Sequence, residues 1–208
     1  MTTISPTSLP GLYAALMEEV KERRDAASKT LARAHNDDPP YSYLDIEFCY
    51  LQVRRICEAL ALAVLVAHND LDGFRSKDLM KEYKADALFS DLTKLNSTAF
   101  PRCARFAPDQ EPGMFVATIA NEGLLTKEGL AKIYHTCADG LHAGSLRRML
   151  NHGPKRYNVS DVVSWLNQIV RLLDVHVVVL PDGRMMTVEM TGGANGAVIC
   201  HMDFLVEG

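Results

Sequence analysis

The chain predicts an α+β fold, a mainly α-helical bundle over residues 1–174 closed by a C-terminal three-stranded antiparallel β-meander over 175–208. Three observations carry that expectation. Apolar residues recur every three or four positions through most of the first 174 residues, one stretch (56–67) is apolar on nearly every side, and beyond Asp174 the period drops to two. At 208 residues, 48% hydrophobic and 23% charged, the chain has globular composition and enough length to bury one core without staples, so bundle and meander are expected to pack as one compact domain.

Residues 1–9 read as a loose leader. Ser8 and Pro10 mark a helix start, because proline is tolerated in a first turn. Leu12, Leu16, Val20, Ala27 and Leu31 then share one face as far as about residue 34, where Asp37-Asp38-Pro39-Pro40 forces a turn. The intervening charges alternate in sign and read as a solvated face.

A second helix is expected over 44–68. Its first half is amphipathic, but from Ile56 onward only Glu58 breaks an all-round apolar surface, and such a helix must be wrapped by others. At 1.5 Å per residue it runs roughly 35 Å, the length of a central pillar. Arg54, Arg55 and Glu58 stand at i, i+1 and i+4, so either arginine can reach the carboxylate. That is either a structural ion pair or a polar site lining a groove.

Two short helices follow, from Ser76 to Tyr83 and over 86–95. Residues 96–113 carry Pro101, Pro108 and Pro112 and are expected to be mostly irregular, with Arg102 and Arg105 as surface charges, and 115–119 to be a short strand or extended stretch. Thr126 caps a helix striped by Leu130, Ile133, Tyr134, Cys137 and Leu141, whose later turns Gly140 and Gly144 make pliable. It breaks near Gly144 or runs to Leu150, and Asn151-His152-Gly153-Pro154 ends it in either case. Ser160 caps a last helix over 161–173 with Val162, Trp165, Leu166, Ile169 and Leu172 on one face. Strands are then expected over 175–180, along Met186, Val188 and Met190, and along Val198, Cys200, Met202, Phe204 and Val206.

Bulk properties narrow the function. A formal charge of -4 gives no global attraction for nucleic acid or an acidic membrane, so a polyanion site would have to be a local patch. The five cysteines are scattered and form no CxxC pair, which suits reduced thiols rather than a disulfide framework or a zinc module. No basic start followed by an apolar run opens the chain, and its longest apolar run, 59–67, falls far short of the roughly 20 residues that span a bilayer. A cytoplasmic protein without membrane association, cofactor or metal is expected.

Three constellations could carry chemistry. Arg147-Arg148-Met149-Leu150-Asn151-His152-Gly153 sets arginine and histidine in an Arg-x4-His arrangement at a helix end, followed by the amphipathic stretch at 159–173. In this the chain resembles the HEPN superfamily, helical domains common in toxin and antiviral defence systems, whose ribonuclease members carry Arg-x4-6-His. The resemblance implies metal-independent RNA cleavage, with His152 as general acid/base on the 2′-hydroxyl and Arg147 on the phosphate, at a site shared across a homodimer. Arg148 stands where that family commonly has Asn, Asp or His. With Arg147, Lys155 and Arg156 it makes the most basic short stretch of the chain, a candidate RNA contact. A second match, Arg171 to His176, runs from helix into strand and reads as structural.

The second constellation is His135, Asp139 and His142, on one helical face. It suits a buried, hydrogen-bonded His142, a polar site formed with Arg55 and Glu58, or a metal site that lacks an evident fourth ligand. Cys137 at helical spacing from His142 has no third group to make it a nucleophile. The third is His201 and Asp203 on one strand face, expected opposite Thr187 and Glu189, a solvent-facing polar row. The expectation is therefore a HEPN-like protein that binds or cleaves RNA. Its rival is a noncatalytic protein-protein interaction module, an inhibitor or adaptor, whose partner is another protein.

Overall fold

Helix α1, Leu9–His35, begins where the Ser8 hydroxyl accepts the Gly11 amide at 3.1 Å, relieving one of the orphan donors of a first turn. The computed structural model describes residues 8–35, 41–71, 73–74, 79–108, 115–120, 123–142, 150–151 and 157–204. Helix α2, Tyr43–His68, opens on a capping box: Ser42 accepts from the Asp45 amide, and the Asp45 carboxylate accepts from the Ser42 amide. The two helices run antiparallel, since Arg33 meets Asp45 at 2.7 Å, the Cys49 thiol faces the Ala27 carbonyl and Arg23 reaches Gln52 at 3.0 Å.

Helix α2 packs against α1 and against α3 (Ala85–Leu95), α4 (Lys127–Leu141) and α5 (Val159–Leu173). Its Ile56, Cys57, Leu60, Ala61, Ala63 and Val64 are fully buried, as a pillar requires. Each buried Leu or Ile contributes about 1.5–3 kcal/mol by leaving water. The wrapping is incomplete, however. Leu62, inside the stretch expected to be enclosed, is 44% exposed, so the neighbouring helices leave one strip of α2 uncovered.

The sheet is larger than a C-terminal meander. Five antiparallel strands lie in the order β2-β1-β3-β4-β5: β1 Arg102–Pro108, β2 Phe115–Ile119, β3 Val175–Val179, β4 Arg184–Glu189 and β5 Ile199–Phe204. Strand β1 lies in the segment expected to be irregular, β2 coincides with the short strand or extended stretch expected over 115–119, and Arg102 and Cys103 pair with Val177 and His176. Pro101 immediately precedes the strand and Pro108 is its last residue, so neither interrupts it. A proline at a strand end removes no central ladder bond. Strand β3 is consequently interior, and both Val177 and Val178 are fully buried instead of alternating. Sheet residues Val178, Leu180, Met186, Val188, Met190 and Cys200 share one buried cluster with the helices.

Smaller differences follow from local geometry. Of the short helix expected to end at Tyr83, the described residues retain a single 3-10 turn, Leu79–Lys81. Asn158 rather than Ser160 caps α5. Thr187 does lie opposite His201, but Met185 is opposite Asp203 and Ile199 opposite Glu189, so the polar row is one pair long.

Two buried histidines tie the helices to the sheet. His176 on β3 has Nδ1 2.8 Å from the Leu173 carbonyl and Nε2 2.9 Å from the Tyr13 hydroxyl of α1. His68 at the end of α2 has Nδ1 2.7 Å from the Val64 carbonyl and Nε2 3.0 Å from the Asn96 amide, which also donates to the Val179 carbonyl. A carbonyl can only accept, so each ring carries its proton on Nδ1 and accepts at Nε2. Burial holds His68 below its ordinary pKa and lowers His176 to about 4, so both rings are neutral.

Candidate functional site

The exposed strip of α2 repeats. Leu44, Phe48, Leu51, Arg55, Glu58 and Leu62 succeed one another at steps of four and three, the spacing that keeps side chains on one face. The four apolar members are 58%, 39%, 40% and 44% exposed in chain order, too much for core residues and too regular for scattered surface ones. Where the strip meets α1 and the segment before α3 it forms a groove of about 470 Å³, walled by Leu16, Leu51, Leu62 and Tyr83 with Arg54, Arg55, Glu58, Glu19 and Glu82 as its charges.

Arg55 and Glu58 are brought together as the spacing predicted. Glu58 Oε1 takes Arg54 Nε at 3.1 Å and its Oε2 takes Arg55 Nη1 at 2.9 Å. Arg54 continues inward to α4, with Nη2 3.4 Å from the Tyr134 hydroxyl and its guanidinium carbon 5.1 Å above the Tyr134 ring. The side chain of Arg55 is 56% exposed, whereas that of Glu58 is only 15% exposed, so the carboxylate sits at the foot of the groove and Arg55 at its rim.

The expected partners on α4 do not join them. Tyr134, Cys137 and Leu141 hold the face turned to α2, and His135 and His142 each stand one residue further on, a rotation of about 100°. His135 therefore turns to α3, with Nε2 3.2 Å from Asp86 Oδ2, while Asp86 Oδ1 is buried without a partner. Asp139 is exposed on α4, and His142, expected buried, is the exposed C-cap of the helix and pairs with neither Arg55 nor Glu58. Among the described residues no three His, Cys, Asp or Glu side chains are grouped to hold a metal ion. Burial pushes the Cys137 thiol up to about 12, which leaves it protonated and inert at neutral pH. Arg147, Arg148, His152, Lys155 and Arg156 lie outside the described residues.

Several polar contacts had no signal beyond ordinary residue spacing. Tyr157 donates to the Glu47 carboxylate, and Tyr50 stacks edge-on against both Tyr157 and Trp165 at 5.4 and 5.2 Å. Gly140 is a packing residue here, not a pliable joint: a Cβ at this position would come within 2.5 Å of the Tyr50 ring. Comparison with family models, curated proteins and solved structures finds no match to the chain.

Proposed function

We propose that this chain is a noncatalytic interaction module that pairs through the exposed strip of α2 with the same strip of a second copy. One observation carries the reading: the strip is apolar, regularly spaced, and interrupted only by one arginine and one glutamate. Its charges favour protein over nucleic acid. Among the described residues, three carboxylates, Glu19, Glu58 and Glu82, line the groove against two arginines, a wall that repels a phosphate backbone.

The strip is also self-complementary. An antiparallel pairing with its two-fold opposite the Ile56–Cys57 step sets Leu51 against the partner's Leu62 and Arg55 against the partner's Glu58, twice over. Leucines then bracket a charge cluster whose members exchange partners without leaving a carboxylate alone.

Sedimentation across a concentration series tests this. The wild type is expected to dimerise, Leu51→Glu and Leu62→Glu to remain monomeric with unchanged circular dichroism, and Arg55→Glu and Glu58→Arg each to weaken self-association. Mixing the last two chains restores opposite charges across both contacts and is expected to recover a heterodimer. A wild type that stays monomeric, or a dimer indifferent to both leucine changes, overturns the proposal. The RNA-cleaving alternative rests on Arg147 and His152 alone and is tested separately below.

A further inference from the structure

Two hollows lie side by side along β1, well separated in sequence from the strip of α2. One, of about 520 Å³, is walled by Phe100, Pro101, Leu124 and Leu172 around Arg102 and Lys127. The other, of about 600 Å³, carries Arg105, Arg171 and Asp174, and the two share Cys103, Ala120 and Leu124. Each is of the size that encloses most of a small organic ligand.

Arg102 is the unusual member. Its Nε is shielded from solvent and has no hydrogen-bond partner. A buried, unsatisfied N–H on a charged group is costly, and an anion in the hollow would supply the missing acceptor. Lys127 stands at the same hollow, its Nζ 3.1 Å from the Thr93 hydroxyl and 3.7 Å from Glu128, and Arg105 and Arg171 are exposed in the adjoining one. Among the described residues, four cations thus face two carboxylates, Glu128 and Asp174, in a chain whose overall charge is -4. Local positive charge beside an apolar wall suits a ligand with a phosphate at one end and a flat, weakly polar body at the other. A guanidinium meets a phosphate through paired N–H donors, and a flat ring can lie against the half-buried Phe100.

We infer that the double hollow along β1 binds a small phosphate-bearing ligand of the nucleotide class, with Arg102 taking the phosphate and the apolar wall taking the base. Two carboxylates among the cations, and an apolar wall beside them, favour a small molecule over a nucleic-acid strand.

Calorimetric titration of the full chain with ADP, inorganic pyrophosphate and a single-stranded oligonucleotide tests the inference. ADP is expected to bind, more weakly as salt rises, and roughly ten-fold or more weakly in Arg102→Gln. Pyrophosphate alone is expected to bind more weakly than ADP. Arg171→Gln, a surface change that leaves the core untouched, is expected to cost a few-fold, so the test stands even if Arg102→Gln does not fold. Silence with both ADP and pyrophosphate, ADP binding indifferent to both arginines, or binding of the oligonucleotide alone would each overturn it. Pyrophosphate binding as tightly as ADP would remove the base from the assignment.

Discussion

Lowering the pH should weaken the tie between sheet and helices at His176, by an amount the structure lets one work out. The ring is fully buried, its Nδ1–H is spent on the Leu173 carbonyl, and its Nε2 accepts from Tyr13, so a second proton would place a charge where solvent is shut out and, among the described residues, no carboxylate meets it. Burial lowers its pKa from 6.5 to about 4. Above pH 6.5 the ring is neutral in both folded and unfolded chains and contributes no slope. Between 6.5 and 4 the unfolded chain binds a proton that the folded one refuses, so stability falls with pH by about 1.4 kcal/mol per unit, about 3 kcal/mol in all. Urea denaturation at pH 7.5, 6.5, 5.5 and 4.5 measures this, provided it is compared with His176→Asn. That variant keeps a donor for the Leu173 carbonyl, leaves Tyr13 unpaired at a cost of about 1–3 kcal/mol at neutral pH, and removes the titrating group. The two stability curves should therefore converge as the pH falls. His68 and the acidic side chains contribute to both proteins alike and cancel in the difference. Parallel curves from pH 7.5 to 4.5 would show that the His176 ring is charged in the folded protein, and the tautomer argument would fail with it.

Gly140→Ala should destabilise the fold by about 1–3 kcal/mol in denaturant titration, since the added methyl meets the Tyr50 ring at 2.5 Å and that ring is held between Tyr157 and Trp165. A neutral result would mean that the α2–α4 contact has room for a methyl group and that Gly140 is not a packing residue. For the RNA-cleaving alternative, incubation with total cellular RNA should give cleavage by the wild type and none by His152→Ala; equal cleavage by both, or none by either, rejects Arg147 and His152 as a catalytic pair.

The helices were legible because a repeat of three or four apolar residues has few other uses, and the start of α1 and the break before α2 follow from Ser8, Pro10 and the helix-breaking sequence Asp37-Asp38-Pro39-Pro40. Strand β2 was legible as a short extended stretch, but β1 was not, because prolines at both ends of a strand look like breakers when its partner, β3, lies some seventy residues further along the chain. The pillar was legible only in part. Hydrophobicity on all sides says that a helix wants covering, but not how many neighbours the fold can supply. At α2 the supply runs out on the strip through Leu51 and Leu62, and the proposed pairing rests on that shortfall. The polar residues show the same limit from the other side. Arg55 and Glu58 could be paired from one helix's geometry alone, because i and i+3 are neighbours whatever else the chain does. Whether His135 or His142 would join them depended on a rotation of α4 of about 100°, set by which of Tyr134, Cys137 and Leu141 pack on α2. Local spacing therefore settles contacts within an element, and the side chains buried between elements settle which of the rest can meet.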